Sequence, residues 1–224
     1  ALACLKLAYD SPEALLVIEQ IYRTLRDTAY QESIYLAQER GAFPAFDWSV
    51  EENNEFIQRL PEEIRALIAK HGRRNISILT NAPTGSVSIM SQTSSGLEPV
   101  FRNSYIRRRK LSHNEQDAKA DFIDEVGDRW VEYEVFHHNV QEWLNLKGAP
   151  TELPDYFVES DNIDWTRRIL VQAAIQQHID HSISSTINLP KGGAALYGRL
   201  APRIEGTHSL RGRLPHWRSG DQEN

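Results

Sequence analysis

The sequence predicts an α/β fold in which helices dominate. Three observations carry this. Long stretches repeat apolar residues at helical spacing between recognisable start and stop signals. Two short stretches, 75–82 and 185–190, are rich in β-branched residues and read as strands. Between them, a turn bearing Gly and Ser leads from the first strand towards a new helix.

The elements follow in order. "SPEALLVIEQIYRTLRDTAYQESIYLAQERG" reads as one long helix, with Ser11 as N-cap, Pro12 at the first helical position and Gly41 as the stop. Leu15, Ile18, Ile21, Tyr22, Leu25, Ala29 and Leu36 form its expected apolar stripe. "VEENNEFIQRL" and "PEEIRALIAKHG" read as shorter helices, the second opened by Pro61 and closed by Gly72. After the strand "NISILTNA" and the turn "APTGS", the long stretch "DAKADFIDEVGDRWVEYEVFHHNVQEWLNLKG" is expected to be helical with a break near Gly127. "DNIDWTRRILVQAAIQQHIDHSIS" is another helix, capped by Asp161 or Asn162, and "STINLP" a short strand.

Composition narrows the function classes. The chain has 224 residues, a net charge of −6 and one cysteine, Cys4. The negative charge disfavours non-specific nucleic-acid binding. No apolar run reaches the ~18 residues that a membrane helix needs. A single cysteine excludes an intrachain disulfide and a Cys-rich zinc site, and fits a cytoplasmic setting. The chain begins without Met and with no basic-then-apolar leader, which reads as a segment of a longer protein.

The stretch 81–101, "NAPTGSVSIMSQTSSGLEPVF", places Pro83, Gly85, Gly96 and Pro99 among serines and threonines. A strand ending in such a turn and opening a helix suits phosphate. The first N–H groups of a helix lack partners and carry the positive end of its dipole. Gly85 permits close approach of an anion, and Thr84, Ser86 and Ser88 can donate hydroxyl bonds. No Lys follows the glycine, so this is not a Walker A loop, and it is not GxGxxG. The alternative is a capped turn whose hydroxyls satisfy the helix end.

"APTGSVSIMSQTSSGLEPVF" resembles a segment of the catalytic subunit of ribonucleotide reductases, most like the adenosylcobalamin-dependent class II. "YDSPEALLVIEQI", "AYQESIYLAQERGAFPAFD", "GRRNISILTNAPTG" and "LPDYFVESDNIDWTRRILVQAAIQQHIDHSISSTINLP" resemble family segments in the same order. The resemblance implies the C-terminal portion of a ten-stranded α/β barrel over residues 1–191, incomplete at both ends. It implies that Pro83, Thr84, Gly85, Ser86, Val87 and Ser88 hold the substrate phosphates. For the full enzyme it implies conversion of ribonucleoside di- or triphosphates to deoxyribonucleotides by thiyl-radical chemistry, with adenosylcobalamin and a thioredoxin-like reductant. The two adjacent tyrosines of the iron- or manganese-dependent class would fall where Ile187 and Asn188 stand.

The family's Asn-x-Cys-x-Glu radical-cysteine setting is absent from this sequence, and Cys4 is expected to be a buried core thiol. No catalytic residue and no metal ligand is therefore expected in the chain. The radical cysteine would come from an N-terminal part of the same enzyme or from a partner chain. A non-catalytic nucleotide-binding or assembly partner is the alternative, and a half barrel made alone would expose strand edges and apolar surface. Residues 192–224 depart from the family and are expected to be a disordered tail arising from a frameshift near 192–196.

Other residues have plainer readings. His178 and His181 stand three apart but lack a third ligand, and His137 and His138 point to different sides of a helix. Residues 105–110, "YIRRRK", are a solvated face or a phosphate-steering run. Glu98 precedes Pro99 in a packed loop, and Trp130, Trp143 and Trp165 are expected in a helical core.

Overall fold

The computed structural model describes residues 1–115, 118–148 and 152–186. A 3-10 turn, Ala3–Leu5, precedes the long helix α1 (Pro12–Arg40). Ser11 caps α1 by accepting from the Ala14 N–H at 3.0 Å, and Gly41 ends it with φ +79°. Three helices follow: α2 (Trp48–Glu51), α3 (Glu55–Gln58) and α4 (Glu62–His71), the last stopped by Gly72. A Cβ on Gly72 would lie 2.6 Å from that of Ala42, so both its φ of +72° and its neighbour require glycine.

Beyond the turn come α5 (Gly85–Ser91), the strands β1 (Ser104–Lys110), β2 (Phe122–Ile123) and β3 (Arg129–Phe136), then α6 (His138–Lys147) and α7 (Trp165–Gln176). The strands form an antiparallel sheet in the order β1-β3-β2. Here the structure corrects the expected helix across 117–148. "RWVEYEVF" alternates with period two, placing Val131, Tyr133 and Val135 opposite Arg109, Arg107 and Tyr105. The turn before it is built by Asp124, whose carboxylate accepts from the N–H groups of Val126 and Asp128, while Gly127 adopts φ +88°. Trp130 lies in this sheet, stacked on Phe122 with ring centroids 6.2 Å apart. The sheet leaves and returns at buried Asn103, whose carbonyl accepts from the His137 N–H at 2.8 Å.

Two cores hold the helices. Tyr30, Ile34, Ile57, Leu60, Ile64 and Ile68 form one between α1, α3 and α4. Ile18, Leu97, Val171, Ile175 and Ile179 form the other between α1 and α7. The buried face of α1 is Ala14, Ile18, Arg26, Tyr30, Ser33, Ile34 and Ala37, rotated from the expected stripe. Ile21 and Leu25 are exposed, because the two cores take the side of α1 that carries Ile18 and Tyr30.

Smaller corrections have local causes. Cys4 is exposed, because the chain turns at Lys6 (φ +59°) after one 3-10 turn rather than continuing as an apolar helix. The α7 cap is Asp164, which accepts from the Thr166 N–H at 2.8 Å; Asp161 and Asn162 lie in a preceding 3-10 turn. The stretch 75–82 forms only an isolated parallel bridge, Asn81 with Ile183, since its other bonds go to loop and side-chain groups. Of "STINLP", residues 187–190 lie outside the described residues, as does the tail expected from 192 onwards.

Candidate functional site

The segment 77–81 runs alongside 180–184 and delivers the chain to the turn. Asn81 donates its N–H to the Ser182 carbonyl at 3.4 Å and accepts from the Ser184 N–H at 2.9 Å. Thr84 then adopts the left-handed conformation, φ 54° and ψ 28°, unfavourable for a β-branched residue. Its Oγ1 accepts the Gly96 N–H at 2.7 Å, and that bond holds it there. Gly96 has φ +49°, and a Cβ on it would meet the Ala82 carbonyl oxygen at 3.1 Å. Thr84 and Gly96 therefore clasp the two ends of the 81–101 stretch around α5.

This arrangement divides the six residues named from the sequence. Ser88 is buried; its hydroxyl donates to the Gly85 carbonyl at 2.7 Å and lies 2.9 Å from the Ser95 hydroxyl. It braces the turn from inside. Thr84 is half-buried, whereas Pro83, Gly85, Ser86 and Val87 are exposed. The Ser88 N–H begins the helical ladder on the Thr84 carbonyl at 2.8 Å. The N–H groups of Gly85, Ser86 and Val87 precede that ladder, and among the described residues no side chain caps them. A Cβ on Gly85 would meet nothing within 4 Å. What the turn presents outward is a row of backbone donors with the Ser86 hydroxyl beside it. Such a row accepts an anion.

Two clefts flank this region. One, about 280 Å³, is lined by Glu98, Pro99, Phe101, Trp165, Arg168 and Thr186 among others. Arg168 is only 3% exposed and has no carboxylate within ion-pair distance among the described residues. It donates to Gln172 at 3.1 Å and weakly to Ser185 at 3.4 Å, and its Nε has no partner. Tyr9 packs under its guanidinium and donates to the Leu97 carbonyl at 2.7 Å. Burial pushes the Tyr9 hydroxyl up to about 12, with Arg168 pulling the other way. The second cleft, about 230 Å³, has Ser88, Ile89, Gln92, Thr93, His137 and His138.

The histidines do not gather. His137 caps α6, accepting from the Asn139 N–H at 3.3 Å, and burial lowers its pKa. His178 is buried against Arg26, with Nδ1 3.2 Å from the guanidinium nitrogen, and burial followed by that cation lowers its pKa. His181 bonds to Ser77 instead. Among the described residues no group of three or more His, Cys, Asp or Glu could hold a metal ion. The "YIRRRK" run is strand β1, and its cations are largely spent on carboxylates: Arg108 on Glu132 at 2.7 Å, Arg109 on Glu115 at 2.8 Å, Lys110 on Asp128. Arg109 and the Ser112 donors hold the Glu115 carboxyl down at about 2.

Neither cleft by itself is large enough to enclose a corrin, since volumes of about 280 and 230 Å³ fall below the ~300–1,000 Å³ of drug-sized sites.

The described residues define a class, a helix-rich α/β segment with a small antiparallel sheet and an uncapped turn that opens α5. Comparison with known proteins gives the family. The family model described as "Ribonucleotide reductase, barrel domain" matches residues 1–201, and the chain belongs to that family. A "Vitamin B12-dependent ribonucleoside-diphosphate reductase" of Mycobacterium tuberculosis (strain CDC 1551 / Oshkosh) is 29% identical over 192 residues, 84% of this chain and 25% of that protein. The protein of the same name from Thermoplasma acidophilum is 29% identical over 187 residues, 83% of this chain and 22% of its own length. "Ribonucleoside-diphosphate reductase large chain 2" of Saccharomyces cerevisiae is 31% identical over 209 residues, 84% of this chain and 24% of its own. The chain thus spans about a quarter of the length of the curated relatives it matches.

Proposed function

We propose that this chain is the phosphate-holding part of a ribonucleotide reductase catalytic barrel, in which Gly85, Ser86 and Val87 offer backbone N–H groups to the substrate's phosphates. The observation that carries this reading is the uncapped first turn of α5, exposed and fronted by a glycine that the fold does not require. Pro83 and Thr84 shape the turn, and Ser88 braces it from behind. The reaction of the longer protein is reduction of ribonucleoside diphosphates to deoxyribonucleotides, as the names of the relatives state for them. Cobalamin dependence of the longer protein is likewise proposed from the names of the Mycobacterium and Thermoplasma relatives. The reducing cysteine pair and the radical thiol would also come from outside residues 1–224, since Cys4 is the chain's one cysteine and is exposed.

Apolar surface around the turn supports a barrel completed by other residues. Val87 is 63% exposed, Ile89 78% and Met90 88%, an unusual load for a seven-residue helix. Among the described residues no helix is long and apolar enough to cross a membrane, so a bilayer-spanning helix does not explain it. The reading is tested by NMR titration of the full chain with inorganic pyrophosphate and a nucleoside diphosphate. Amide shifts centred on Gly85 to Val87, with weak, roughly millimolar affinity, are expected; shifts elsewhere, or none at saturating ligand, would remove it.

A further inference from the structure

The segment that leads into the turn is gripped by a residue about a hundred positions away in sequence. Asp180 follows α7 and accepts three hydrogen bonds. Its Oδ1 takes the Leu79 N–H at 2.7 Å; its Oδ2 takes the Ile78 N–H at 2.8 Å and the Tyr30 hydroxyl at 2.9 Å. Two successive N–H groups of an extended segment ordinarily point to opposite sides. Here one carboxylate gathers both, which locally fixes the rotation of the backbone about its own axis.

That rotation decides where the next residues go. Ile78 packs on the core of Tyr30 and Ile68, whereas Leu79 packs on the core of Ile18 and Ile175. A slip of one residue would exchange the two side chains between cores and turn the following backbone over. The loop after Asp180 completes the hold: the His181 N–H donates to the Leu79 carbonyl at 3.1 Å and the Thr80 hydroxyl to the Ser182 carbonyl at 3.1 Å. Five residues beyond Thr80, at Gly85, the chain enters α5.

We infer that Asp180 is a positioning residue for the phosphate turn, fixing through Ile78 and Leu79 the register from which the N–H groups of Gly85, Ser86 and Val87 are aimed. The inference rests on the phosphate reading for its purpose but not for its geometry. Tyr30 takes part because its hydroxyl fills the carboxylate's remaining face, tying the turn to the middle of α1. The charge matters as well as the shape. Asparagine at this position would present an N–H₂ group towards one of three donors and could not accept all of them.

The test uses the full chain as wild type and as Asp180→Asn, with Ile68→Val as a comparator that trims the first core. Three quantities are read: Tm, the ligand-free amide resonances of residues 85–88 with the exchange rate of the Ser88 N–H, and the dissociation constant for inorganic pyrophosphate. Asp180→Asn is expected to displace those resonances, to speed Ser88 exchange at least tenfold and to weaken pyrophosphate at least tenfold. Ile68→Val is expected to lower Tm and leave the other two readouts where they were. Unchanged turn resonances in Asp180→Asn, or equal changes in Ile68→Val, would overturn the assignment. Should Asp180→Asn fail to fold, Tyr30→Phe removes one donor and spares both backbone bonds. It should move the same amides by less, and an undisturbed turn there would also overturn it. If the wild-type chain does not bind pyrophosphate, the phosphate reading falls, while the ligand-free resonances still decide the role of Asp180.

Discussion

Gly85 offers the sharpest separation of fold from ligand. It is the first residue of α5, its φ is not positive, and a Cβ there meets nothing within 4 Å. Alanine is the better helix former, by roughly 0.5–1 kcal/mol in a helix interior, of which about half is expected at a first turn. For a domain of this size, ~1 kcal/mol moves Tm by about 2–4 °C, so Gly85→Ala should raise Tm by about 0.5–2 °C. A phosphate held on these N–H groups would meet the new methyl. Losing one charge-assisted bond of about 1.5–3 kcal/mol weakens binding at least ~10-fold. Calorimetric melting and isothermal titration with pyrophosphate read the two effects separately. A lower Tm would mean that the fold itself needs the glycine, and a higher Tm with unchanged affinity would mean that no anion approaches it. Gly96→Ala is the control of opposite sign. Its φ of +49° and the Ala82 carbonyl at 3.1 Å make the substitution strained, at a cost of roughly 1–2 kcal/mol.

Other expectations follow from single contacts. Ser11→Ala removes the α1 cap and should cost about 1 kcal/mol, read as the shift in melting temperature. Arg168→Met replaces a buried cation without a carboxylate partner; stability should be unchanged or improved by about 1 kcal/mol, and a clear loss would show that the cation is matched in a way these contacts do not show. His178 is held below its ordinary value of 6.5, so the unfolded chain takes up that proton first as pH falls. Stability should be intact above about pH 6.5 and decline below it, His137 adding in the same sense, and the decline should be shallower in His178→Gln. Sedimentation velocity should show concentration-dependent self-association through the exposed Val87, Ile89 and Met90 face. A monomer at every concentration would argue that this face needs no cover.

The helices of the first half were legible because Ser11, Gly41, Pro61 and Gly72 punctuate them, and each signal acts within a few residues. The turn was legible for the same reason. What escaped depended on distance in sequence. That Thr84 also closes the turn shows only when Gly96, twelve residues away, is seen donating to its Oγ1. Ser88 reads as outward-facing until Ser95 folds against it. The stretch 75–82 has the composition of a strand, but Asp180 occupies two of its donors. The β-sheet was missed although a signal was present. "DEVGD" is a turn and "RWVEYEVF" alternates, yet with the real helix α6 directly behind it the stretch reads as helix on both sides of a break near Gly127.

Asn103 carries a consequence beyond its own bonds. Buried at 7%, it donates to Glu159 at 2.7 Å and to the Phe157 carbonyl at 2.8 Å, and its own carbonyl receives the returning chain at His137. Ser104 and Phe136 are register partners immediately beyond it, and β1, β2 and β3 make their extensive contacts with one another rather than with any helix. Among the described residues, the excursion that leaves at Ser104 and returns at Phe136 is thus anchored at its base by Asn103. Its length and surface are free to drift, or to be exchanged for a grafted peptide, without α5 or α7 registering the change. A protein that must keep the turn before α5 still has, in this sheet, a place where new sequence can be tried.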